Sequence, residues 1–497
     1  TSISSPLSNM GCDAGGRTVS YGFDNGDGGG TSANGVLEPG EVDASTTICS
    51  RYSTVLFRDI NTGSGNGYFE ETSLGLGYIP TLIAVGNTLF MTANDGNNGY
   101  ELWKSDGTAS GTMMVKDIYN GSSDGIYINP FDSSSSNLEV VGSTLYFSAN
   151  DGVKGVELWK SDGTANGTMM VKDIYNGSSS SYVSKITAVG NTLYFMANDG
   201  VHGNELWKSD GTASGTMMVK EIIYGSGGSN VEELTAVGNT LYFTGNGTEL
   251  WKSDGTASGT MMVRDIHPFY LTAAGNTLYF MANDEVNGYE LWKSDGTASG
   301  TMMVQDIYNG SGHGYANSIT AIGNTVYFTA RDQTNGNELW KSDGTASGTM
   351  MVKDIHYGSG HSNVEQLTAI GTTLYFQAED GTNGTELWKS DGTVSGTMMI
   401  KNINPAYNGD SNPSLFTAIG NTVYFVADDG VNGYELWKSD GTASGTMMDK
   451  DIRAGSGSSN PNDFASIGNT LYFTANDGYI GIELYSNMGV DTEVTYS

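Results

Sequence analysis

The stretch ELWKSDGTASGTMMVKDI, residues 101–118, returns throughout the chain and decides how the chain folds. Its first twelve letters stand unchanged at six places and with one substitution at two more, and a shorter copy, IELYSN, follows near the end. The copies begin at Glu101, Glu157, Glu205, Glu249, Glu290, Glu338, Glu386, Glu435 and Glu483. Successive copies are 56, 48, 44, 41, 48, 48, 49 and 48 residues apart. A period near 48 is typical of propeller blades or solenoid units, in which each repeat buries its apolar face against its neighbours.

Each repeat contains four segments with the pattern of β-strands, labelled A to D in chain order. In one unit, A is ITAV (186–189), B is TLYFMA (192–197), C is ELWKSD (205–210) and D is TMMVKEI (216–222). The Gly-Asn pair between A and B predicts a tight hairpin, and SDGTASGT between C and D is rich in turn-forming residues. Side chains in B alternate between two faces, and no segment has a sustained helical period. The sequence therefore predicts an all-β chain.

The order of the segments predicts a closed ring. A lone D segment, TVLFRDI (54–60), precedes eight complete A-B-C-D sets, and A, B and C segments then follow without a D. Pairing the leading D with the trailing three completes one composite blade and protects strand edges that would otherwise promote aggregation. We therefore expect a β-propeller of nine four-stranded blades, closed by the N-terminal strand, with eight blades as the alternative.

The repeats resemble the ELWxxDGT repeat family of secreted bacterial and archaeal proteins, also called hyalin-like. The likeness rests on ELWKSDGTASGT and its variants, and it covers residues 52 to about 490. The resemblance implies a β-propeller that is secreted or held at the cell surface. It implies no particular activity, because the family is known mainly as a repeat.

The charge of the chain restricts its partners. Against 22 basic residues stand 55 acidic ones, a net charge of −33. This charge makes nucleic acid and anionic membranes poor partners and a divalent cation the natural counter-ion. No apolar run approaches the roughly 18 residues that span a bilayer, so we expect no membrane insertion. Because the sequence begins at Thr1 rather than Met, we expect an extracellular or cell-surface chain whose signal peptide has been removed.

The two cysteines, Cys12 and Cys49, lie in the segment that precedes the repeats. An even number of cysteines without a nearby histidine favours a disulfide over a zinc site, and hence an oxidising compartment. By loop-closure entropy, such a bond would stabilise the fold by about 3–4 kcal/mol. We expect residues 1–50 to form a stapled acidic extension, residues 51–490 the propeller and residues 491–497 a tail.

The N-terminal extension also contains a candidate calcium loop. NGVLEPGE (34–41) matches the second half of an EF-hand loop, which ends in a bidentate carboxylate. The stretch GFDNGDG…NGVLEPGEV between the cysteines resembles small calcium-loop modules of secreted bacterial proteins. That resemblance implies Ca²⁺ bound by a set drawn from Asp24, Asp27, Asn34, Glu38 and Glu41, and it leaves open which of the first two coordinates. The alternative is an acidic, glycine-rich loop without metal.

Several repeated side chains have both a binding and a structural interpretation. The tryptophan of each ELW could stack on sugars, but burial between blades is favoured because it stabilises the fold by a few kcal/mol per ring. Each Met pair should place one Met on each strand face. The Asp of SDGT, for example Asp106, should cap the C–D turn rather than bind calcium. The Asp of ANDG, for example Asp95, is either a hairpin residue or, less favoured, a calcium ligand.

Six Asn-x-Ser/Thr sequences are candidate glycosylation sites. They begin at Asn120, Asn166, Asn176, Asn246, Asn309 and Asn383. Such sequences also arise by composition in loops rich in Gly and Ser.

Near-identical blades argue against an enzyme, because an active site requires one asymmetric set of groups. The five histidines share no motif, and no nucleophile, metalloprotease or phosphate-binding sequence is present. The favoured hypothesis is a structural propeller that assembles with itself into an extracellular filament, layer or appendage. The alternative is an adhesin or glycan-binding module that uses repeated blade loops, in which weak sites add together.

Overall fold

A computed structural model describes the backbone of residues 2–4, 16–21, 44–49, 51–52, 55 and 489–490 and the complete residues 56–61, 67, 82–127 and 138–487. All the regular elements in these ranges are strands, so the all-β prediction is confirmed. None of these ranges contains a helix with the length and hydropathy that a membrane crossing requires. The chain divides into two compact units, Thr1–Leu56 with Tyr485–Ser497, and Phe57–Leu484.

The first unit contains two small antiparallel sheets. One has the order β1 (Ser2–Ser4), β2 (Gly16–Tyr21), β3 (Ala44–Cys49). The other pairs β4 (Arg51–Tyr52) with β41 (Gly489–Val490). Cys49 is the last residue of β3, whereas Cys12 and the candidate calcium ligands Asp24, Asp27, Asn34, Glu38 and Glu41 lie outside the described residues. The disulfide and the calcium loop stay predictions.

Nine four-stranded antiparallel sheets form the second unit and its boundary strands. The A strands, which neighbour one another around the ring, are β6 (Leu82–Val85), β10 (Leu138–Val141), β14 (Ser184–Val189), β18 (Glu232–Val237), β22 (Phe269–Ala274), β26 (Asn317–Ile322), β30 (Glu365–Ile370), β34 (Ser414–Ile419) and β38 (Asn462–Ile467). The B strands are β7 (Thr88–Asn94), β11 (Thr144–Asn150), β15 (Thr192–Asn198), β19 (Thr240–Gly245), β23 (Thr277–Asn283), β27 (Thr325–Ala330), β31 (Thr373–Glu379), β35 (Thr422–Asp428) and β39 (Thr470–Asn476).

The C strands carry the ELW sequence. They are β8 (Tyr100–Ser105), β12 (Val156–Ser161), β16 (Asn204–Ser209), β20 (Glu249–Ser253), β24 (Tyr289–Ser294), β28 (Glu338–Ser342), β32 (Thr385–Ser390), β36 (Tyr434–Ser439) and β40 (Ile482–Ser486). The D strands are the outermost, and most have only four residues. They are β9 (Met113–Lys116), β13 (Met169–Lys172), β17 (Met217–Lys220), β21 (Met261–Asp265), β25 (Met302–Gln305), β29 (Met350–Lys353), β33 (Met398–Lys401), β37 (Met447–Lys450) and, in the ninth blade, β5 (Val55–Arg58).

The ninth blade closes the ring as the sequence predicts. Its strand order is β38-β39-β40-β5, so the leading D strand completes the trailing A, B and C strands. One hydrophobic cluster joins Tyr472 and Leu484 of this blade to Leu89 and Trp103 of the first. A Cβ on Gly107 of the first blade would lie 2.7 Å from the hydroxyl of Tyr472, and six other junctions pair the same glycine with a tyrosine hydroxyl, while Gly163 faces Phe90 instead. The prediction of a nine-bladed propeller is confirmed.

The core lies between the sheets rather than inside any one of them. In β11, Leu145, Phe147 and Ala149 on one face and Tyr146 and Ser148 on the other are all at least 93% buried. Both faces of the B strands are apolar because each blade packs against two neighbours, and stacking is the main source of stability in such repeats. The same phenylalanine of strand B is fully buried in eight blades: Phe147, Phe195, Phe243, Phe280, Phe328, Phe376, Phe425 and Phe473.

Because strands within a blade are antiparallel, alternate connections lie at opposite ends of the sheets. The B–C and D–A connections share one end, here named the BC–DA face, and the A–B and C–D connections share the other. Hydrogen bonds link the two kinds of connection on the BC–DA face; Lys154 of a B–C loop, for example, lies 2.7 Å from Asp173 of a D–A connection. Residues distant in sequence therefore meet at this face.

Candidate functional site

The glutamate of ELW is buried and organises the connection that leaves each blade. Glu338 accepts hydrogen bonds from the backbone N–H groups of Ile355 at 2.7 Å and His356 at 3.4 Å. Glu435 does the same with Ile452 and Arg453, and it also accepts from the backbone and hydroxyl of Ser459. The fully buried members of this set are Glu101, Glu157, Glu205, Glu290, Glu338, Glu386, Glu435 and Glu483. We name these eight residues the glutamate latches.

Burial raises the pKa of the glutamate latches, because removing a carboxylate from water disfavours its charged form. The pKa is raised to about 7 for Glu101, Glu157, Glu290, Glu338, Glu386 and Glu483. It is also raised for Glu205 and Glu435. Hydrogen bonds from backbone N–H groups oppose the shift but do not cancel it.

The fourth blade departs from this pattern. Its B–C turn is short, since β19 ends at Gly245 and β20 begins at Glu249. Glu249 is only half-buried, and its carboxylate accepts a 2.9 Å hydrogen bond from the indole N–H of Trp251 rather than latching a connection. The loss of the ANDG loop therefore changes the role of an unchanged ELW sequence.

The repeated tryptophans are packing residues. All but Trp251 are at least 93% buried, and each belongs to a cluster that spans two blades. A β-bulge between the Leu and Trp of ELW accompanies this packing in each of the first eight blades. The structure thus agrees with the packing interpretation, and the rings offer no exposed shelves for sugars.

The aspartates of both repeated loops bond to their own backbone. In the C–D turn, Asp106 accepts from the backbone N–H of Thr108 at 2.9 Å and from its hydroxyl at 2.7 Å. In the B–C loop, Asp95 accepts from the backbone N–H groups of Asn97 and Asn98. These contacts are the Asx-turn geometry expected of a cap. Among the described residues, no group of three or more His, Cys, Asp or Glu side chains could hold a metal ion.

Two basic positions of the repeat tie most blades to the next. Lys104 donates a 2.8 Å hydrogen bond to the carbonyl oxygen of Gly163. Lys116 donates to the carbonyl of Thr168 at 2.8 Å, and its Nζ lies 5.6 Å from the centroid of Trp159. Equivalent bonds recur around the ring. Repeated positive charges are therefore used at the junctions, while the turn aspartates face solvent.

The outer strands expose a ring of methionines. The first Met of each pair is 42–46% exposed, whereas the second, such as Met114, packs against the core in every blade but the fourth, where Met262 is 46% exposed. The exposed set, named the rim methionines, is Met113, Met169, Met217, Met261, Met302, Met350, Met398 and Met447. This arrangement agrees with the prediction that the two methionines occupy opposite strand faces.

Five of the six candidate glycosylation sites are exposed. They are Asn120, Asn166, Asn176, Asn246 and Asn309. Asn383 is half-buried; its Nδ2 donates to Asp380 at 2.8 Å, and its Oδ1 accepts from Asn402 at 3.0 Å. The amide of Asn383 is thus already engaged. Glycosylation itself stays a prediction.

A single-copy cluster of aromatic rings breaks the symmetry of the repeats at the junction of the fifth and sixth blades. The rings of Tyr289 and Tyr315 stack with centroids 6.0 Å apart and an interplanar angle of 15°. His313 lies 5.3 Å from Tyr289 and 5.1 Å from Tyr315. Phe269 continues the chain of rings, 6.0 Å from Tyr289 and 4.4 Å from His267. Together with Arg331, these five residues form what we name the aromatic cluster.

Arg331 supplies the only guanidinium of the aromatic cluster. Its Cζ lies 4.8 Å from the centroid of Tyr315 and 5.5 Å from that of Tyr308. Its Nε donates a 3.0 Å hydrogen bond to the carbonyl of His313. Such cation–π contacts favour a fixed guanidinium plane. Since Arg331 follows β27, it stands where most blades have an Asn at the start of the B–C loop.

Backbone hydrogen bonds hold the segment that carries the aromatic cluster. The Nδ1 of His313 accepts from the backbone N–H of Tyr289 at 3.1 Å, so the neutral ring carries its proton on Nε2. The backbone N–H of Tyr315 donates to the carbonyl of Tyr289 at 2.9 Å. Glu290, a glutamate latch, accepts from Gly314 at 2.9 Å. The buried carboxyl of Glu290 therefore holds the backbone between His313 and Tyr315 in place.

No family model and no curated protein matches this chain. Similar solved structures include the computationally designed Ika8 protein, with a TM-score of 0.41 and 15% identity over 71% of this chain and 97% of that chain. Puromycin hydrolase has a TM-score of 0.37 and 11% identity over 71% of this chain and 58% of that one, so this chain spans little more than half of it. BamB from Moraxella catarrhalis has a TM-score of 0.37 and 12% identity, covering 77% and 95% of the two chains. Likenesses of this degree carry no information on activity.

The glutamate latches and the aromatic cluster were not predicted from the sequence. A sequence signal for the latches exists, because every ELW places a carboxylate directly before two large apolar residues of a strand. A signal for the cluster would be the departures from the repeat, such as Arg331 in place of Asn. The histidines gave no motif, because His313 meets Tyr289 only through the fold, and His267 contacts Phe269, which itself meets Tyr289.

Proposed function

We propose that this chain is a secreted or cell-surface structural protein of the ELWxxDGT type, whose propellers assemble with copies of themselves into an extracellular filament, layer or appendage. The observation that carries the proposal is the use of the repeated polar groups inside the ring. The latches bind backbone, the lysines tie blades together, and the turn aspartates cap their own loops. In a chain built in this way, the repeated residues stabilise a rigid closed ring and do not form one asymmetric active site.

The rim of the propeller offers the surface for assembly. Each D strand ends its sheet, so its outer edge has no strand partner in the part of the chain that the structure describes. The rim methionines lie on these edges as repeated apolar positions in a strongly acidic chain. Thioether side chains adapt to varied partners, and free edges can pair with strands of another copy. A second copy of the same chain is therefore the partner we propose.

Assembly of the full chain should depend on concentration. We expect fibres, sheets or stacked rings in negative-stain electron microscopy of purified protein with millimolar Ca²⁺, because a divalent cation offsets repulsion between chains of net charge −33. Light scattering should report a mass that rises with protein concentration. Single rings at every concentration, with and without Ca²⁺, would contradict the structural role.

Mild peroxide offers a test of the rim without mutation. Oxygen transfer from peroxide to a Met Sδ gives a sulfoxide and water, and it makes the side chain polar. We expect up to eight oxygen additions at the rim methionines by peptide mass spectrometry, loss of the assemblies, and little change in melting temperature. Methionine sulfoxide reductases should restore assembly. Assemblies that persist after full oxidation of the rim would locate the contact elsewhere.

The N-terminal calcium loop has its own test. Because a bound ion stabilises only the folded state, EDTA should lower the melting temperature by several degrees. Glu41→Ala should remove part of that sensitivity, since Glu41 is the proposed closing carboxylate. Asp95→Ala, in a blade loop, is the matched control and should leave the effect of EDTA unchanged. Equal melting curves with and without EDTA would rule out a structural calcium ion.

A further inference from the structure

We propose that the aromatic cluster is a binding site for an acidic saccharide, that is, an oligosaccharide whose sugar units carry carboxylates. The site goes beyond the structural role and is independent of assembly. Repeated blade loops are poor candidates for sugar binding, because their tryptophans are buried and their aspartates cap turns. The aromatic cluster occurs once and combines stacked rings, a guanidinium and an imidazole on the BC–DA face.

The rings are suited to the flat, C–H-rich faces of sugars. Tyr289, Tyr315, His313 and Phe269 are half-buried, so each has one part fixed in the fold and another open to solvent, and His267 is exposed. Aromatic side chains of this kind supply a large contact area with little loss of conformational entropy. The centroids of Tyr315, Tyr289 and Phe269 follow one another at steps of 6.0 Å, and this series of rings favours an oligosaccharide over a monosaccharide.

Arg331 determines the charge of the ligand. A guanidinium binds a carboxylate through two parallel hydrogen bonds, and Arg331 uses only its Nε for the fold among the described residues. Its plane is already held against Tyr308 and Tyr315, so little entropy is lost when a carboxylate binds. Most other basic side chains of the repeats are engaged at blade junctions, which leaves this guanidinium as an unusual positive group in an acidic protein.

The backbone conformation of Tyr315 lowers the stability of the fold, as is common at binding sites. Tyr315 has φ of 51°, a left-handed conformation that is unfavourable for a bulky residue. Four other blades place an asparagine at the equivalent position, and Asn tolerates this conformation better. They are Asn230, Asn363, Asn412 and Asn460. The third blade has Tyr182 there, with φ of 49°, so the backbone conformation accompanies the aromatic cluster while the ring and guanidinium contacts carry its assignment.

The test replaces cluster residues by those that other blades carry at the same positions. Isothermal titration calorimetry with trigalacturonic acid should show binding to the full chain, and Tyr315→Asn and Arg331→Asn should each weaken it at least about tenfold through loss of stacking or of the charged hydrogen bonds. Maltotriose, which is neutral, should bind at least about tenfold more weakly than trigalacturonic acid. Tyr182→Asn, the same change at the same position of another blade, should leave binding unchanged.

Melting temperatures separate binding from packing. Tyr315→Asn restores a residue that four other blades accept there and should leave the melting temperature equal or higher. Arg331→Asn loses one hydrogen bond and two ring contacts, so it should lower the melting temperature slightly without unfolding the chain. Absence of trigalacturonic acid binding to the unmodified chain would overturn the proposal, as would equal binding of maltotriose or an unchanged affinity of Arg331→Asn. If Tyr315→Asn lowers the melting temperature instead, the Arg331→Asn titration still decides the outcome.

Discussion

Replacing Glu338 by alanine is expected to lower the free energy of unfolding by about 3–5 kcal/mol. The buried N–H of Ile355 and the partly buried N–H of His356 would lose their acceptor, and a cavity would replace the carboxyl. Each buried donor left without an acceptor lowers the free energy of unfolding by about 1–3 kcal/mol, and the cavity lowers it further. Urea or thermal unfolding followed by circular dichroism measures the effect.

The fourth blade provides a matched control for this glutamate latch. Glu249 begins the same twelve-residue sequence but is half-buried and latches no connection, so Glu249→Ala should cost less than about 1 kcal/mol. Glu338→Gln, which keeps one acceptor oxygen, should fall between the two alanine variants. Equal losses for Glu338→Ala and Glu249→Ala would contradict the assignment of latches by burial.

The propeller should be more stable at pH 5 than at pH 8, with a melting temperature higher by about 10 °C. The pKa of six latches is raised from 4.5 to about 7, so the folded chain binds protons that the unfolded chain releases. Stability from a raised pKa is complete below the unfolded value and is lost as pH rises through the folded value. The gain should therefore appear as pH falls from about 8 to about 5. Calorimetry across this range measures it.

Below about pH 4 the trend should reverse. Hydrogen bonds from Thr side chains and backbone hold the pKa of the exposed turn aspartates, such as Asp106 and Asp343, below the usual 3.8, so their contribution is lost as pH falls through those values. Repulsion within a chain of net charge −33 also weakens towards acid, but about 0.5 M NaCl screens that effect and leaves buried groups unchanged. A melting temperature that does not change between pH 8 and pH 5 in high salt would contradict the raised pKa of the latches.

Most of the fold was predictable because the chain repeats itself. Strand segments, turns and the leading D segment before Asn61 are local patterns, and their order alone implied nine blades and closure. Trp burial and Asp capping followed from general preferences of these residues, and the structure agrees with both. The fourth blade was less predictable, because a short turn after Gly245 changes the environment of Glu249 without changing its sequence.

Sites formed by departures from the repeat were hidden in the sequence. His267 and Arg331 are 64 residues apart in the chain (331 minus 267), and they join one cluster because alternate connections of antiparallel blades meet on the BC–DA face. Nothing local to either residue indicates the other. Tyr289 lies in the fifth blade and Arg331 in the sixth, so the cluster forms only when these two blades pack against each other.

By itself, the sequence determined the all-β class and the way the ring closes, and it favoured nine blades over eight, because strand periodicity, turn residues and the repeat length are properties of neighbouring residues. Only the tertiary structure decided which charged groups are buried and which rings meet. Burial and proximity depend on contacts between segments more than 15 residues apart, as between Glu338 and Ile355, and such contacts exist only once blades have formed and stacked.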